Sequence, residues 1–222
     1  MQPMRLLFDL DGTLLDTAPD LYATLNHCLS SAGRPSVTLE SVKHMVGQGA
    51  RVLLERGLKA TGGMLDEQAF EDLVVLFFEY YADHLSDHSI PYPGMLNALK
   101  TLKDTKCDLG ICTNKPCGFA KTIVEDYDLT GYFSVVTGGD SFSIRKPHPD
   151  HVLKTLALLP SKSGQAVMIG DTHNDIDAAR AAGISSIAVS FGYSDIPAKD
   201  LGADYVIDHF DELIPCLQEM TA

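Results

Sequence analysis

The sequence predicts an α/β protein, built as a parallel sheet core with helices on both faces and an inserted α-helical domain. Three observations carry this. Short apolar runs recur along the chain, each too short for a helix and each closed by Gly, Asp, Thr or Ser. Stretches with helical periodicity lie between most of them, as a parallel sheet with crossover helices requires. One interval breaks the rhythm. About a hundred residues separate the first apolar run from the second, far more than a crossover needs.

The first strand is Arg5–Phe8. The long interval after it is mostly helical. Leu21, Leu25, Cys28, Leu29 and Ala32 form one apolar stripe, and Phe70, Leu73, Val74, Phe77, Phe78, Tyr81 and Leu85 form another at spacings of three and four. Thr38 can cap a helix running through Val46. Gly47-Gln48-Gly49 breaks the chain before a helical pattern over Val52–Leu58. Pro91, Pro93 and Gly94 mark the return. Residues 16–89 are therefore expected to form the helical insertion, and 1–15 with 90–222 a Rossmann-like core. Beyond the return, helices over Met95–Leu102, Ala120–Tyr127, His151–Leu159 and Asp175–Ala182 alternate with strands at Leu109–Cys112, Ser134–Thr137, Val167–Ile169, Ile187–Val189 and Tyr205–Ile207. Gly183 stands where the last of those helices should stop. There are no internal repeats or low-complexity segments.

Composition narrows the classes of function. With 45% apolar and 21% charged residues the chain reads as globular. A formal net charge of −13 argues against a nucleic-acid surface, although a small anionic ligand needs only one local cation. No apolar run approaches the ~20 residues of a membrane span, and MQPMRLLFDLDGT reaches charge too early for a secretory leader, so a cytoplasmic location is expected. Five cysteines without short paired spacings suggest reduced thiols rather than a disulfide framework.

Parallel sheets bind ligands beyond the carboxyl ends of their strands, so the residues following each strand are the place to search. After the first strand stand Asp9 and Asp11. After the second comes Thr113-Asn114-Lys115. Arg145-Lys146-Pro147 lies in the loop after the third, and Gly170-Asp171 with Asp175 follows the fourth. Four carboxylates in one cleft repel each other unless a cation intervenes. Oxygen donors without His or Cys favour a hard ion, Mg²⁺ foremost. Lysine and hydroxyl suit an incoming anion, a composition matched to phosphoryl transfer.

Blander readings stand beside these. Asp175 also suits a helix N-terminus. His173 reads as a solvated loop residue, and His148 and His151 as loop and helix start rather than metal ligands. Gly47-Gln48-Gly49 lacks the third glycine of a dinucleotide loop, leaving a simple break or a loop closing over substrate. Arg51 could pair with a substrate carboxylate or lie on the surface, and Gly49 is the neighbouring candidate contact.

"DLDGT", "CTN", "KP" and "GDTHND", in that order, resemble the four motifs of the haloacid dehalogenase superfamily, and the insertion resembles its helical cap. The resemblance covers essentially the whole chain. It implies that Asp9 is the nucleophile, forming an aspartyl-phosphate, and that Asp11 is the general acid/base. Thr113, Asn114 and Lys146 would bind the phosphoryl group. Asp9, the backbone carbonyl of Asp11, and Asp171 would hold Mg²⁺, with Asp175 acting indirectly. Stretches such as "VGQGARVLLERGL" and "FGYSDIPAKDLGADYVIDHFDEL" are similar to those of the superfamily's phosphoglycolate phosphatases. The implied partner is a small phosphorylated substrate, 2-phosphoglycolate first. A phosphatase of another small phosphate such as a sugar phosphate, a phosphomutase and a catalytically idle binding module are the alternatives. The protein is expected to act as a monomer or homodimer.

Overall fold

A computed structural model describes residues 2–221. In chain order the strands are β1 (Arg5–Phe8), β2 (Leu15–Asp16), β3 (Ile90–Pro91), β4 (Asp108–Cys112), β5 (Val135–Thr137), β6 (Ala166–Gly170), β7 (Ser185–Val189) and β8 (Tyr205–Ile207). The helices are α1 (Ala18–Ser31), α2 (Leu39–Lys43), α3 (Ala50–Ala60), α4 (Glu67–Asp83), α5 (Met95–Asp104), α6 (Cys117–Asp126), α7 (Pro149–Leu158), α8 (His173–Ala182) and α9 (Leu213–Glu219). By their packing the described residues fall into two units. One runs through Asp16 and resumes at Pro91; the other is Thr17–Ile90.

The first unit is built on a six-stranded sheet of order β5-β4-β1-β6-β7-β8, with every adjacent pair parallel. Arg5 sits between Asp108 and Ala166, and Phe8 between Ile111 and Ile169. Leu6, Leu7 and Phe8 are all fully buried. Successive side chains point to opposite faces, so both faces of β1 are covered, which is why its sequence is continuously apolar instead of alternating. Leu7 and Met168 share one face with Val152 and Leu156 of α7, Leu159 just beyond it, and Ala178 and Ala179 of α8. On the other face Phe8 meets Phe133 edge to face at 6.0 Å. From β1 the chain steps outward through β4 and β5, then returns to the far side through β6, β7 and β8. The order therefore reverses at β1, and the carboxyl ends of β4, β1 and β6 surround that switch point.

The second unit packs α1 against α2, α3 and α4. Leu21, Leu25, Cys28 and Leu29 of α1 are buried, as are Phe70, Leu73, Val74, Phe77 and Tyr81 of α4. Phe78 and Ala32 are only partly covered. Thr38 caps α2 by accepting the Ser41 N–H at 3.2 Å, but the helix ends at Lys43, short of the expected Val46. Arg56 donates to the carbonyls of His44 and Met45, offering them a partner outside the helical ladder. Several core helices begin before their apolar periodicity does. Helix α6 opens at Cys117, whose N–H is met by Asp140 Oδ1 at 2.7 Å. Helix α7 opens at Pro149, where His148 Nδ1 accepts the Asp150 N–H at 3.2 Å. Polar caps set these starts, and apolar spacing is silent about them.

Asp20 is a buried carboxylate in α1. It accepts from the N–H groups of His88 and Ser89, each at 2.9 Å, and from the Ser89 hydroxyl at 2.5 Å. The two ends of the helical unit are thereby tied to each other. Asp20→Ala strands these donors and is expected to cost at least about 2 kcal/mol of stability, measured by denaturant unfolding; an unchanged midpoint would refute the tie.

Candidate active site

Asp9 follows β1 directly, and its own N–H still donates to Ile169 O at 2.9 Å, continuing the ladder. The side chain therefore leaves the sheet from a fixed backbone. Its Oδ1 accepts the Leu10 N–H at 2.8 Å and the Lys146 ammonium at 3.1 Å. The same ammonium reaches Asp175 Oδ1 at 2.5 Å. Lys146 is 2% exposed and is gripped along its backbone as well. Its N–H donates to His151 Nδ1 at 3.2 Å, its carbonyl accepts from Asn114 Nδ2 at 3.0 Å, and the bond to Pro147 is cis.

Asp171 follows β6. Its Oδ1 accepts from the Thr13 hydroxyl at 3.1 Å and its Oδ2 from the Tyr193 N–H at 2.8 Å. Asp175 lies one helical turn on, in α8, where its Oδ2 accepts from the N–H and hydroxyl of Thr172 at 3.1 and 2.8 Å. The helix-start reading of Asp175 and its place beside Lys146 are thus both true of one side chain. Asp11 stands more exposed and pairs with a different lysine: Lys115 Nζ lies 3.0 Å from Oδ1 and 3.4 Å from Oδ2. Thr113 is buried at the end of β4 and its hydroxyl accepts the Lys115 N–H at 3.2 Å.

Two glycines make room for this. Gly12 has φ +80, and a β-carbon there would press on the Asp171 carboxylate and on the Tyr193 ring. A β-carbon on Gly192 would run into Asp171 and stand 2.6 Å from the Gly12 carbonyl.

The electrostatics follow from burial and crowding. Burial pushes the Asp9 carboxyl up to about 7, with Asp175 and Asp11 adding to the push while Lys146 and the Leu10 N–H oppose it. Asp171 is raised well above the usual carboxylate range by burial, then by Asp175 and Asp9. Burial works against the Lys146 ammonium, but Asp175 and Asp9 outweigh it and hold its pKa above that of an ordinary lysine. Burial and the nearby Lys146 charge depress His151 to about 4, keeping the imidazole neutral so that Nδ1 can accept.

Carboxylate oxygens of Asp9, Asp171 and Asp175 all lie within 4.8 Å of one another. With Asp11 they make four carboxylates facing two ammonium groups, Lys146 and Lys115. A divalent cation would balance the remainder and relieve the upward push on Asp9 and Asp171. The donors are hard oxygens, as Mg²⁺ prefers. The residues present therefore fit Mg²⁺, with Asp175 the least available because Lys146 and Thr172 already engage both its oxygens.

Asp9, Asp11, Thr113, Asn114, Lys146, Asp171 and Asp175 all gather at the carboxyl ends of β1, β4 and β6. Gly49 and Arg51 lie in the helical unit. There the Arg51 guanidinium forks onto the Glu71 carboxylate, with its first nitrogen at 2.9 Å, and lies over the Phe70 ring at 5.1 Å. His173 is exposed at the start of α8. Sequence reasoning missed the pairing of Lys115 with Asp11, the His151 contact to Lys146, and the hold of Thr13 and Tyr193 on Asp171. Tyr193 was within reach, since it follows β7 just as the other site residues follow their strands.

The chain is similar to known proteins over most of its length. Residues 6–189 match the model of the haloacid dehalogenase-like hydrolases. The phosphoglycolate phosphatase of Agrobacterium fabrum is 42% identical over 213 residues, covering 96% of this chain and 91% of that protein. That of Caulobacter vibrioides is 42% identical over 203 residues, covering 91% and 86%. The crystal structure of a predicted phosphoglycolate phosphatase from Haemophilus somnus superposes with a TM-score of 0.91 at 30% identity, covering 98% of this chain and 99% of the other. A parallel sheet carrying Asp9, Lys146 and Asp171 at its switch point, matched over most of its length, belongs to a member of the haloacid dehalogenase-like hydrolase family.

Proposed function

We propose that the chain is a Mg²⁺-dependent phosphatase that hydrolyses 2-phosphoglycolate through an aspartyl-phosphate on Asp9. The observation that carries this reading is the buried Lys146 ammonium shared by Asp9 and Asp175, beside an Asp11 that answers to a separate lysine. Asp9 and Asp11 are thereby differentiated: one is a buried nucleophile on a fixed backbone, the other a more exposed carboxyl able to exchange protons.

In the proposed reaction a carboxylate oxygen of Asp9 attacks phosphorus in line, and the bond to the leaving oxygen breaks. Asp11 protonates that oxygen, then takes a proton from the water that attacks the aspartyl-phosphate and releases phosphate. The Thr113 hydroxyl and Asn114 N–H bind phosphoryl oxygens, and Lys146 offsets their charge. Mg²⁺, held by Asp9, Asp171 and the backbone carbonyl of Asp11 with Asp175 in an indirect role, would supply charge neutralisation of the phosphoryl group. The choice of 2-phosphoglycolate rests on the relatives of that name that align over nearly the whole chain. The helical unit is proposed to act as a cap over the substrate, with Gly49 and Arg51 as its contacts; Arg51 would have to exchange Glu71 for the substrate carboxylate. Among the described residues no helix is long and apolar enough to cross a membrane, and the five cysteines are free. Both observations support a cytoplasmic location, and work as a monomer or homodimer is proposed with it.

The deciding experiment is a comparison of kcat/KM across small phosphate esters with Mg²⁺ present. 2-Phosphoglycolate should lead, and a sugar phosphate in first place would overturn the substrate assignment. Asp9→Asn should lower kcat by several orders of magnitude with the fold retained by circular dichroism. EDTA should silence the wild type, and added Mg²⁺ should restore it. Arg51→Ala should raise KM for 2-phosphoglycolate more than for a neutral aryl phosphate.

A stability test follows from the raised Asp9 carboxyl. Its folded pKa of about 7 lies above the ordinary 3.8, so the folded state binds more protons and is penalised as pH rises between those values. Without Mg²⁺, Asp9→Asn should therefore raise Tm by several degrees at pH 8. The gain should vanish as pH falls toward 4 and shrink when Mg²⁺ is added, as differential scanning calorimetry can measure.

A further inference from the structure

Tyr193 touches Asp171 and the chain's departure point from the core at the same time. Its N–H donates to Asp171 Oδ2 at 2.8 Å, and its phenol hydroxyl donates to Asp16 Oδ1 at 2.6 Å. Asp16 is the last residue of β2 and stands immediately before the helical unit in the chain. Tyr193 is almost completely buried, and its ring fills the space that Gly12 leaves open. The anchor is itself firm: Gly12 N–H donates to Leu15 O at 2.9 Å, and Tyr92 N–H to Leu14 O at 3.1 Å. Tyr92 in turn packs on Phe191 with ring centroids 4.7 Å apart. Residues 12–16, 92 and 191–193 thus form a single braced loop cluster.

The terminal torsion of an aspartate is broad, and the Thr13 hydroxyl on Oδ1 and the Tyr193 N–H on Oδ2 fix the plane of the Asp171 carboxylate. A backbone N–H can aim a carboxylate only if its own segment is immobile. Here the phenol on Asp16 supplies the immobility, from the far end of the same residue.

We infer that Tyr193 is a positioning residue that pre-sets the Asp171 carboxylate for Mg²⁺, through a side-chain brace onto Asp16 and a backbone hydrogen bond onto Asp171. The inference rests on the proposed reading of Asp171 as a metal ligand. Groups that orient a ligand from behind typically govern metal affinity about tenfold or more. Tyr193→Phe keeps the ring and the N–H and removes the phenol hydroxyl, with its bond to Asp16 and its side-chain hydrogen bond to Tyr92.

The test is isothermal titration calorimetry of the full chain with MgCl₂, without substrate, alongside thermal unfolding of each variant. Tyr193→Phe is expected to weaken Mg²⁺ binding by about tenfold. Asp16→Ala should weaken it too, and the double variant no further than Tyr193→Phe alone, because the bond lost with Asp16 is among those the phenol already gives up. Asp16→Asn retains an acceptor at Oδ1 and should restore binding to near the wild-type value. If Tyr193→Phe lowers Tm yet binds Mg²⁺ as the wild type does, while Asp171→Asn abolishes binding, the brace is merely structural and the inference fails alone. If the wild type binds Mg²⁺ no better than Asp171→Asn, the metal reading fails and takes the inference with it.

Discussion

The deepest acids at the switch point depend on one buried positive charge. A lysine ammonium taken out of water is costly unless it is paired and hydrogen-bonded, and Lys146 meets that demand with Asp9 on one side and Asp175 on the other. The converse holds equally, since two carboxylates this buried could not share so small a volume without it. The grip on the Lys146 backbone by His151 and Asn114 has the same logic. A counter-charge that could drift would leave either acid exposed to the other's repulsion. The loop after β5, the helix start at α8 and the end of β1 are accordingly joined by one ion cluster, above the apolar packing of β1 on α8.

Two lysines divide the work. Lys146 is shared by the deep pair and offsets one of its two charges, and Lys115 serves the shallower Asp11. The like charges that "DLDGT" projects from a buried strand are tolerable because each faces its own cation, with the residual negative charge suited to a divalent ion. The site is electrostatically incomplete by design, and in that state binding of metal and phosphate can be favourable.

Much of the core was legible because its signals are local. The continuous apolar run of β1, the Thr-Asn pair after β4 and the Gly-Asp after β6 all announce strand ends, and strand ends are where a parallel sheet builds its site. Helix starts were less legible, since α6 and α7 begin at polar caps with partners distant in sequence, such as Asp140 on Cys117. The end of α2 was hidden for a similar reason, with Arg56 of another helix meeting the carbonyls of His44 and Met45 just beyond it. The pairings made by the loops were not readable. That Lys115 seeks Asp11, or that Tyr193 spans Asp16 and Asp171, depends on loop geometry that no spacing encodes. The resemblance to a family implied that Lys146 serves Asp9 and that Asp175 can hold Lys146, both of which are ion pairs here, but it implied none of the loop contacts around them.

Gly12 and Gly192 contribute no functional group, yet the room around Asp171 exists only because they carry no side chain. Volume kept empty is here as demanding a requirement as any charge. A single methyl at either position would displace the carboxylate or the ring that steadies it. Such positions tolerate no drift although they take no part in the chemistry. In this chain the cost of activity is thus carried partly by residues that do nothing but stay small.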